Sequence, residues 1–252
     1  MLTSFASGAV FGSRYGCGRP WLVALHGWDR THADFDRAFG ESSPDGPSDG
    51  LAIDLPGFGA TPPPPVAWGS AEYAAFLEPL VAEVAAERGG PVVVVGHSFG
   101  GRVAVLLGAS RPDLVKGLVL TGVPLLRRDG PRPAPATAYR LARAANRIGL
   151  IGAGRMEQYR RRYGSADYRK ATGTVRDSFV RLVNEDYGEV LAKLACPVEL
   201  VWGSRDDQVP PEVARRVAAM LPDARLTECD GVGHLLPLEA PAALRAAAGR
   251  LR

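Results

Sequence analysis

A chain of 252 residues, 46% hydrophobic and 23% charged, is long enough for one large or two small domains around a sizeable core, and this excludes disordered and fibrous classes. Thirty Lys and Arg face 27 Asp and Glu, and a net charge of +3 is far below the density that neutralises a run of nucleic-acid phosphates. Only Lys116, Lys170 and Lys193 are lysines, so 27 of the basic groups are arginines among abundant Ala, Gly and Pro, the pattern of GC-rich coding.

In chain order, residues 2–7 and 9–15 read as an antiparallel hairpin on a sheet edge. Short apolar or β-branched runs follow at 21–25, 51–53, 92–95, 118–120 and 198–201, nearly all ending in a Gly or Asp turn signal, with a last strand at 224–227. Helical patterns intervene at 71–87, 98–109, 211–220 and 238–251. Strands without alternation, separated by helices, predict an α/β fold with a mostly parallel sheet covered on both faces. The proline tract at 62–65 reads as a stiff loop between a strand and a helix. Strand and helix stop alternating at Pro124 and resume near Pro197. Between them a Pro-rich joint at 128–135 precedes two apolar stripes, Met156/Tyr159/Tyr163 and Val175/Phe179/Leu182. A helical insertion after a strand of such a sheet emerges where ligands bind, so residues 124–190 are expected to form a cap on a core of 1–123 and 191–252.

Cys17, Cys196 and Cys229 are odd in number, widely spaced and without zinc-ligand spacing, which suggests reduced thiols and a cytoplasmic location. The start of the chain lacks a basic n-region and a continuous apolar h-region, and no apolar run is long enough to span a membrane.

Gly96-His97-Ser98-Phe99-Gly100 lies between the strand at 92–95 and the helix at 98–109. The bare pattern G-x-S-x-G recurs by chance; its context gives it meaning. A sharp strand-to-helix turn strains the serine backbone, needs small residues on either side at Gly96 and Gly100, and projects Ser98 over the positive end of a helix. A serine hydroxyl needs a base. Of the four histidines, His97 adjoins Ser98 and points elsewhere, His32 opens a helix, and His26 precedes Gly27 in a strand-end loop. His234 remains, in the Gly-rich loop after the last strand. The acid that orients it is expected after the neighbouring strand, where Trp202-Gly203-Ser204-Arg205-Asp206-Asp207 offers two adjacent carboxylates. Two preorganised N–H donors for an oxyanion are assigned to the backbones of Phe99, after the nucleophile, and Trp28, in His26-Gly27-Trp28.

Together with Asp54-Leu55-Pro56-Gly57-Phe58-Gly59 and Leu238-Glu239-Ala240-Pro241, these segments resemble the α/β-hydrolase superfamily along essentially the whole chain. The resemblance implies a nucleophile at Ser98, an acid at Asp206 matching a W-G-x-x-D motif, a base at His234, a helical cap, and no metal or organic cofactor. The implied reaction is cleavage of a small-molecule carboxylic ester or thioester through an acyl-enzyme. The same residues would serve a C–C bond hydrolase, a cofactor-free peroxidase or an acyltransferase, and a catalytically silent binding module is the reading from another class. Residues 124–190 hold fourteen Lys and Arg against seven Asp and Glu, a net +7, leaving 16 against 20, or −4, for the remainder. That segregation points to an anionic partner at the cap. His26-Gly27-Trp28 and the basic cap resemble the pimeloyl acyl-carrier-protein methyl ester esterases, which adds a carrier-protein-linked ester to the substrates considered.

Overall fold

The computed structural model describes residues 2–126, 137–163 and 165–252. Its strands are β1 (Leu2–Phe5), β2 (Val10–Tyr15), β3 (Leu22–Leu25), β4 (Gly50–Asp54), β5 (Val92–His97), β6 (Val115–Thr121), β7 (Val198–Gly203) and β8 (Ala224–Cys229). They form one sheet in the order β1-β2-β4-β3-β5-β6-β7-β8. The edge hairpin is antiparallel, as is its junction with β4, and every pairing from β4 to β8 is parallel. The helices are α1 (Asp36–Phe39), α2 (Ser70–Arg88), α3 (Phe99–Ser110), α4 (Thr137–Arg147), α5 (Ala153–Tyr163), α6 (Ala166–Lys170), α7 (Gly173–Leu182), α8 (Gly188–Leu191), α9 (Pro211–Met220), α10 (Leu236–Glu239) and α11 (Pro241–Arg250).

The continuous valine run of β5 follows from coverage on both sides. Alternate side chains of a strand face opposite ways. Val92 and Val94 join a core with Leu77 and Leu80 of α2, Val103 and Leu107 of α3, and Val213 and Val217 of α9. Val93 and Val95 join the opposite core with Phe35, Phe39 of α1, and Leu244 and Ala247 of α11. Burial of such side chains stabilises by roughly 25 cal/mol per Å² of apolar surface, so the central strands anchor both layers.

One expected element is divided. The pattern at 238–251 reads as a single helix, whereas the chain forms α10 and α11 with a break at Ala240. Pro241 has no N–H to continue the ladder and its ring disfavours the helical region for the preceding residue, leaving Ala240 at φ −136, ψ 56.

The helices α4 to α8 lie between β6 and β7 in the chain. The Pro-rich joint at 128–135 lies outside the described residues. The later part of this stretch is fastened to the body by polar contacts. Trp68 N–H donates to Ser178 Oγ at 2.8 Å, Thr174 Oγ1 to the Pro64 carbonyl at 2.8 Å, and Arg102 Nη1 to the Leu182 carbonyl at 2.6 Å. Glu185 accepts from both the backbone N–H and the hydroxyl of Ser70, at 3.0 and 2.7 Å, and so caps the start of α2, where Gly69 has no side chain to do it.

Candidate active site

Four loops leave the carboxyl ends of β3, β5, β7 and β8 and converge at one end of the sheet. In open parallel sheets this is where ligands bind, because helix N-termini and strand-end loops face outward there.

The loop after β5 carries Ser98, at φ 48, ψ −109, a strained conformation for a residue with a Cβ. Two hydrogen bonds hold the turn: Ser98 N–H donates to the Thr121 carbonyl at 2.9 Å and Gly100 N–H to the His26 carbonyl at 3.0 Å. A Cβ at Gly96 would meet the backbone of Gly101, and one at Gly100 would meet the Leu25 carbonyl oxygen, so both positions require glycine. Ser98 is half-buried and precedes α3 directly.

Asp206, in the loop after β7, is almost wholly buried. Its Oδ1 accepts from the N–H groups of Gln208 and Val209 at 3.0 and 2.8 Å, and its Oδ2 lies 2.8 Å from His234 Nδ1. Of the two adjacent carboxylates, the structure therefore brings Asp206 to the histidine, while Asp207 is exposed. Trp202 Nε1 donates to the Val209 carbonyl at 2.9 Å and closes the loop around the acid. The His234 loop is sewn to the Asp206 loop: Arg205 N–H donates to the Val232 carbonyl at 2.9 Å, and Gly231 N–H to Ser204 Oγ at 2.9 Å.

The loop after β3 places Trp28 in an aromatic cluster, with ring centroids 4.8 Å from Phe58, 5.4 Å from Phe99 and 5.1 Å from Phe179 of α7. Among the described residues, the backbone N–H groups of Trp28 and Phe99 have no hydrogen-bond partner. Asp54 pins this loop to β4, accepting from His32 N–H at 2.8 Å, His32 Nδ1 at 2.7 Å and Ala60 N–H at 2.9 Å. Burial raises the pKa of the Asp54 carboxyl, but the hydrogen bonds from His32 and Ala60 outweigh it and hold the group below its ordinary value. His26 is a buried bracket: Nδ1 lies 2.7 Å from the Gly27 carbonyl and Nε2 accepts from Leu55 N–H at 2.9 Å. Burial pushes its pKa down to about 4.

Two residues near the site are given no role by the sequence reading, which sets His97 aside as pointing elsewhere. His97 Nε2 lies 3.0 Å from the His234 carbonyl, and the two rings are 5.0 Å apart. Glu239 accepts from Gly233 N–H at 2.7 Å and Leu235 N–H at 3.2 Å, bracketing His234 on both sides. The signal for Glu239 was present, since it lies in the Leu238-Glu239-Ala240-Pro241 segment that carries the family resemblance.

Beyond the aromatic cluster, the helices between β6 and β7 enclose an open cavity of about 1580 Å³. Its walls include Tyr139, Tyr163, Arg143, Arg147, Arg160 and Arg176. Phe179 belongs to this wall and to the Trp28 cluster, so the cavity meets the strand-end loops there; Ser98 and His234 do not line it.

A mostly parallel eight-stranded sheet with these strand-end loops is the α/β-hydrolase architecture. The family model for the alpha/beta hydrolase family matches residues 22–247, and the chain belongs to that family. Among curated relatives, it is 28% identical over 243 residues to a pimeloyl-[acyl-carrier protein] methyl ester esterase of Chromobacterium violaceum, covering 85% of this chain and 87% of that protein. It is 29% identical over 246 residues to the protein of the same name from Aromatoleum aromaticum, covering 86% and 91%. A solved structure of a thermophilic esterase from Thermogutta terrifontis aligns at TM-score 0.66 with 21% identity, covering 99% of this chain and 97% of that one, a likeness of fold.

Proposed function

We propose that this hydrolase cleaves a carboxylic ester or thioester through an acyl-enzyme, with Ser98 as nucleophile, His234 as general base and acid, and Asp206 as the group that orients it. The observation that carries the reading is the part-buried 2.8 Å contact between Asp206 Oδ2 and His234 Nδ1 at the strand ends that also present the strained Ser98. The contact leaves Nδ1 carrying the proton and Nε2 free to take one from the Ser98 hydroxyl. Ser98 Oγ then attacks the carbonyl carbon, and the resulting oxyanion accepts from the Trp28 and Phe99 N–H groups. His234 passes its proton to the leaving alcohol or thiol; it next deprotonates a water, which attacks the acyl carbon and releases the acid and Ser98.

In this reading residues 124–190 are the cap, and an acyl group that is anionic or linked to a carrier protein is the favoured substrate. The arginines on the cavity wall and the names of the two curated relatives support that class. Ser98→Ala tests the chemistry. Turnover of a p-nitrophenyl ester is expected to fall by about 10⁴-fold or more, together with loss of fluorophosphonate labelling. Full activity in that variant would overturn the assignment.

A further inference from the structure

Helix α4, sequence TAYRLARAANR, carries no acidic residue, and its one buried side chain is Ala142. At 100° per residue, Leu141, Ala144, Ala145 and, one residue past the helix end, Ile148 fall on one stripe, and Arg140, Arg143 and Arg147 on the stripe beside it. An amphipathic helix normally turns its apolar stripe toward the core. Here the stripe faces outward: Leu141 is 67% exposed and Ile148 72%, and Leu150, just past the helix, is 73% exposed. These are the three most exposed large aliphatic side chains among the described residues. Arg140, Arg143 and Arg147 form no ion pair among the described residues.

We propose that this outer face of α4 docks on an anionic lipid surface, with Leu141, Ile148 and Leu150 entering the interface and the arginine flank lying against the headgroups. Such a surface matches both halves of the pattern. A protruding aliphatic stripe with low overall hydropathy gains by burial at the headgroup boundary, and it needs no partner of complementary shape. Negative headgroups complement the exposed Arg140, Arg143 and Arg147, which pair with no acid among the described residues. A partner recognised by charge alone would leave the aliphatic side chains without a role, and protein hot spots favour Trp and Tyr over Leu and Ile. Arg143 and Arg147 also line the cavity, whereas Leu141, Ile148 and Leu150 do not, so docking of the aliphatic stripe would bring the cavity to lipid-borne esters. The inference does not depend on the catalytic assignment, because binding is read without turnover.

Vesicle flotation tests it, with phosphatidylcholine alone compared with phosphatidylcholine and phosphatidylglycerol in equal parts. Wild-type protein and Ser98→Ala are both expected to float with the anionic vesicles and not with the neutral ones. Binding should weaken by about tenfold or more when salt is raised past the point where headgroup charge is screened. The triple variant Leu141→Asn, Ile148→Asn, Leu150→Asn should lose about tenfold in vesicle binding. It should keep wild-type activity on a short soluble ester, which also reports that it folds. Failure of wild type to bind the anionic vesicles, or equal binding by the triple variant, would overturn the proposal. So would binding of acyl-carrier protein, or self-association on a sizing column, that the triple variant abolishes while vesicle binding is unchanged.

Discussion

His97 Nε2 faces a carbonyl, so that nitrogen must carry a proton and donate it. The other nitrogen, Nδ1, then holds a bare lone pair with no partner among the described residues, in a ring that is fully buried. Burial, reinforced by the nearby His234, pushes the His97 pKa down to about 3. A neutral ring at this place keeps positive charge away from the neighbouring His234 ring. The folded state therefore binds fewer protons than the unfolded chain between pH 6.5 and about 3 to 4, where His97 and His26 remain neutral but their unfolded counterparts are charged. Stability is complete above pH 6.5 and declines as pH falls, by on the order of 3 kcal/mol per histidine at pH 4. Calorimetric melting across this range should show the decline, and His97→Gln, which retains a donor to the carbonyl, should flatten it; an unchanged slope would refute the assignment. Asp206 makes a separate prediction. In Asp206→Asn the amide oxygen is held by the Gln208 and Val209 N–H groups, turning the NH₂ toward His234. His234 Nδ1 must then accept, leaving the proton on Nε2, where the base is needed. Turnover is expected to fall by about 10⁴-fold in steady-state assays, whereas Asp207→Asn stays near wild type. The turn at Ser98 and the loops that carry Asp206 and His234 were legible because strand-to-helix turns and strand-end loops have local sequence signatures. The support from His97 was not, since its partner lies 137 residues away and only the folded sheet brings them together.

The elements themselves were legible where coverage on both faces leaves an unbroken apolar run, as in β5, and where a Gly or Asp ends the run. Helix boundaries were less so: the apolar period continues through 238–251, and Pro241 overrides it by stereochemistry. In α4 the period shows that an apolar stripe exists, but which side is covered depends on neighbours that the period does not encode. Charged fastenings between elements were equally hidden. Arg250 of α11 reaches Glu199 of β7 at 2.9 and 2.6 Å, with the carboxylate largely buried. Removing the guanidinium leaves that carboxylate desolvated without a counter-charge, but a third of the arginine side chain is exposed and solvent offsets part of the loss. Arg250→Ala should cost about 2 kcal/mol, lowering the melting temperature by roughly 4–8 °C, with partial recovery in Arg250→Lys. Thermal melts at neutral pH measure this directly.

Across the whole molecule, the separation of +7 in residues 124–190 from −4 elsewhere was readable from the sequence, and the structure adds where part of that charge lies. Several of those arginines ring the cavity, and two of these are held by carboxylates, Arg176 by Glu157 at 3.1 Å and Arg181 by Glu72 at 2.6 Å. A basic mouth raises the encounter rate of anions and loses that advantage as salt screens it. The kcat/KM for an ester with a carboxylated acyl chain should therefore fall by about tenfold from low to high salt, while that of a neutral ester of equal length stays level. Parallel salt titrations of the two esters provide the comparison. The hydrogen bonds that fasten the end of the stretch between β6 and β7 carry one more consequence, for exchange of parts. Because β6 and β7 are parallel neighbours, the chain must return to the opposite end of the sheet before β7 starts, and Leu182, Glu185 and Tyr187 belong to that return path. A graft of foreign specificity helices onto this scaffold should therefore be spliced after Leu126 and before Leu182; a junction at the start of β7 would remove the stitching of α2 and α3 along with the old pocket.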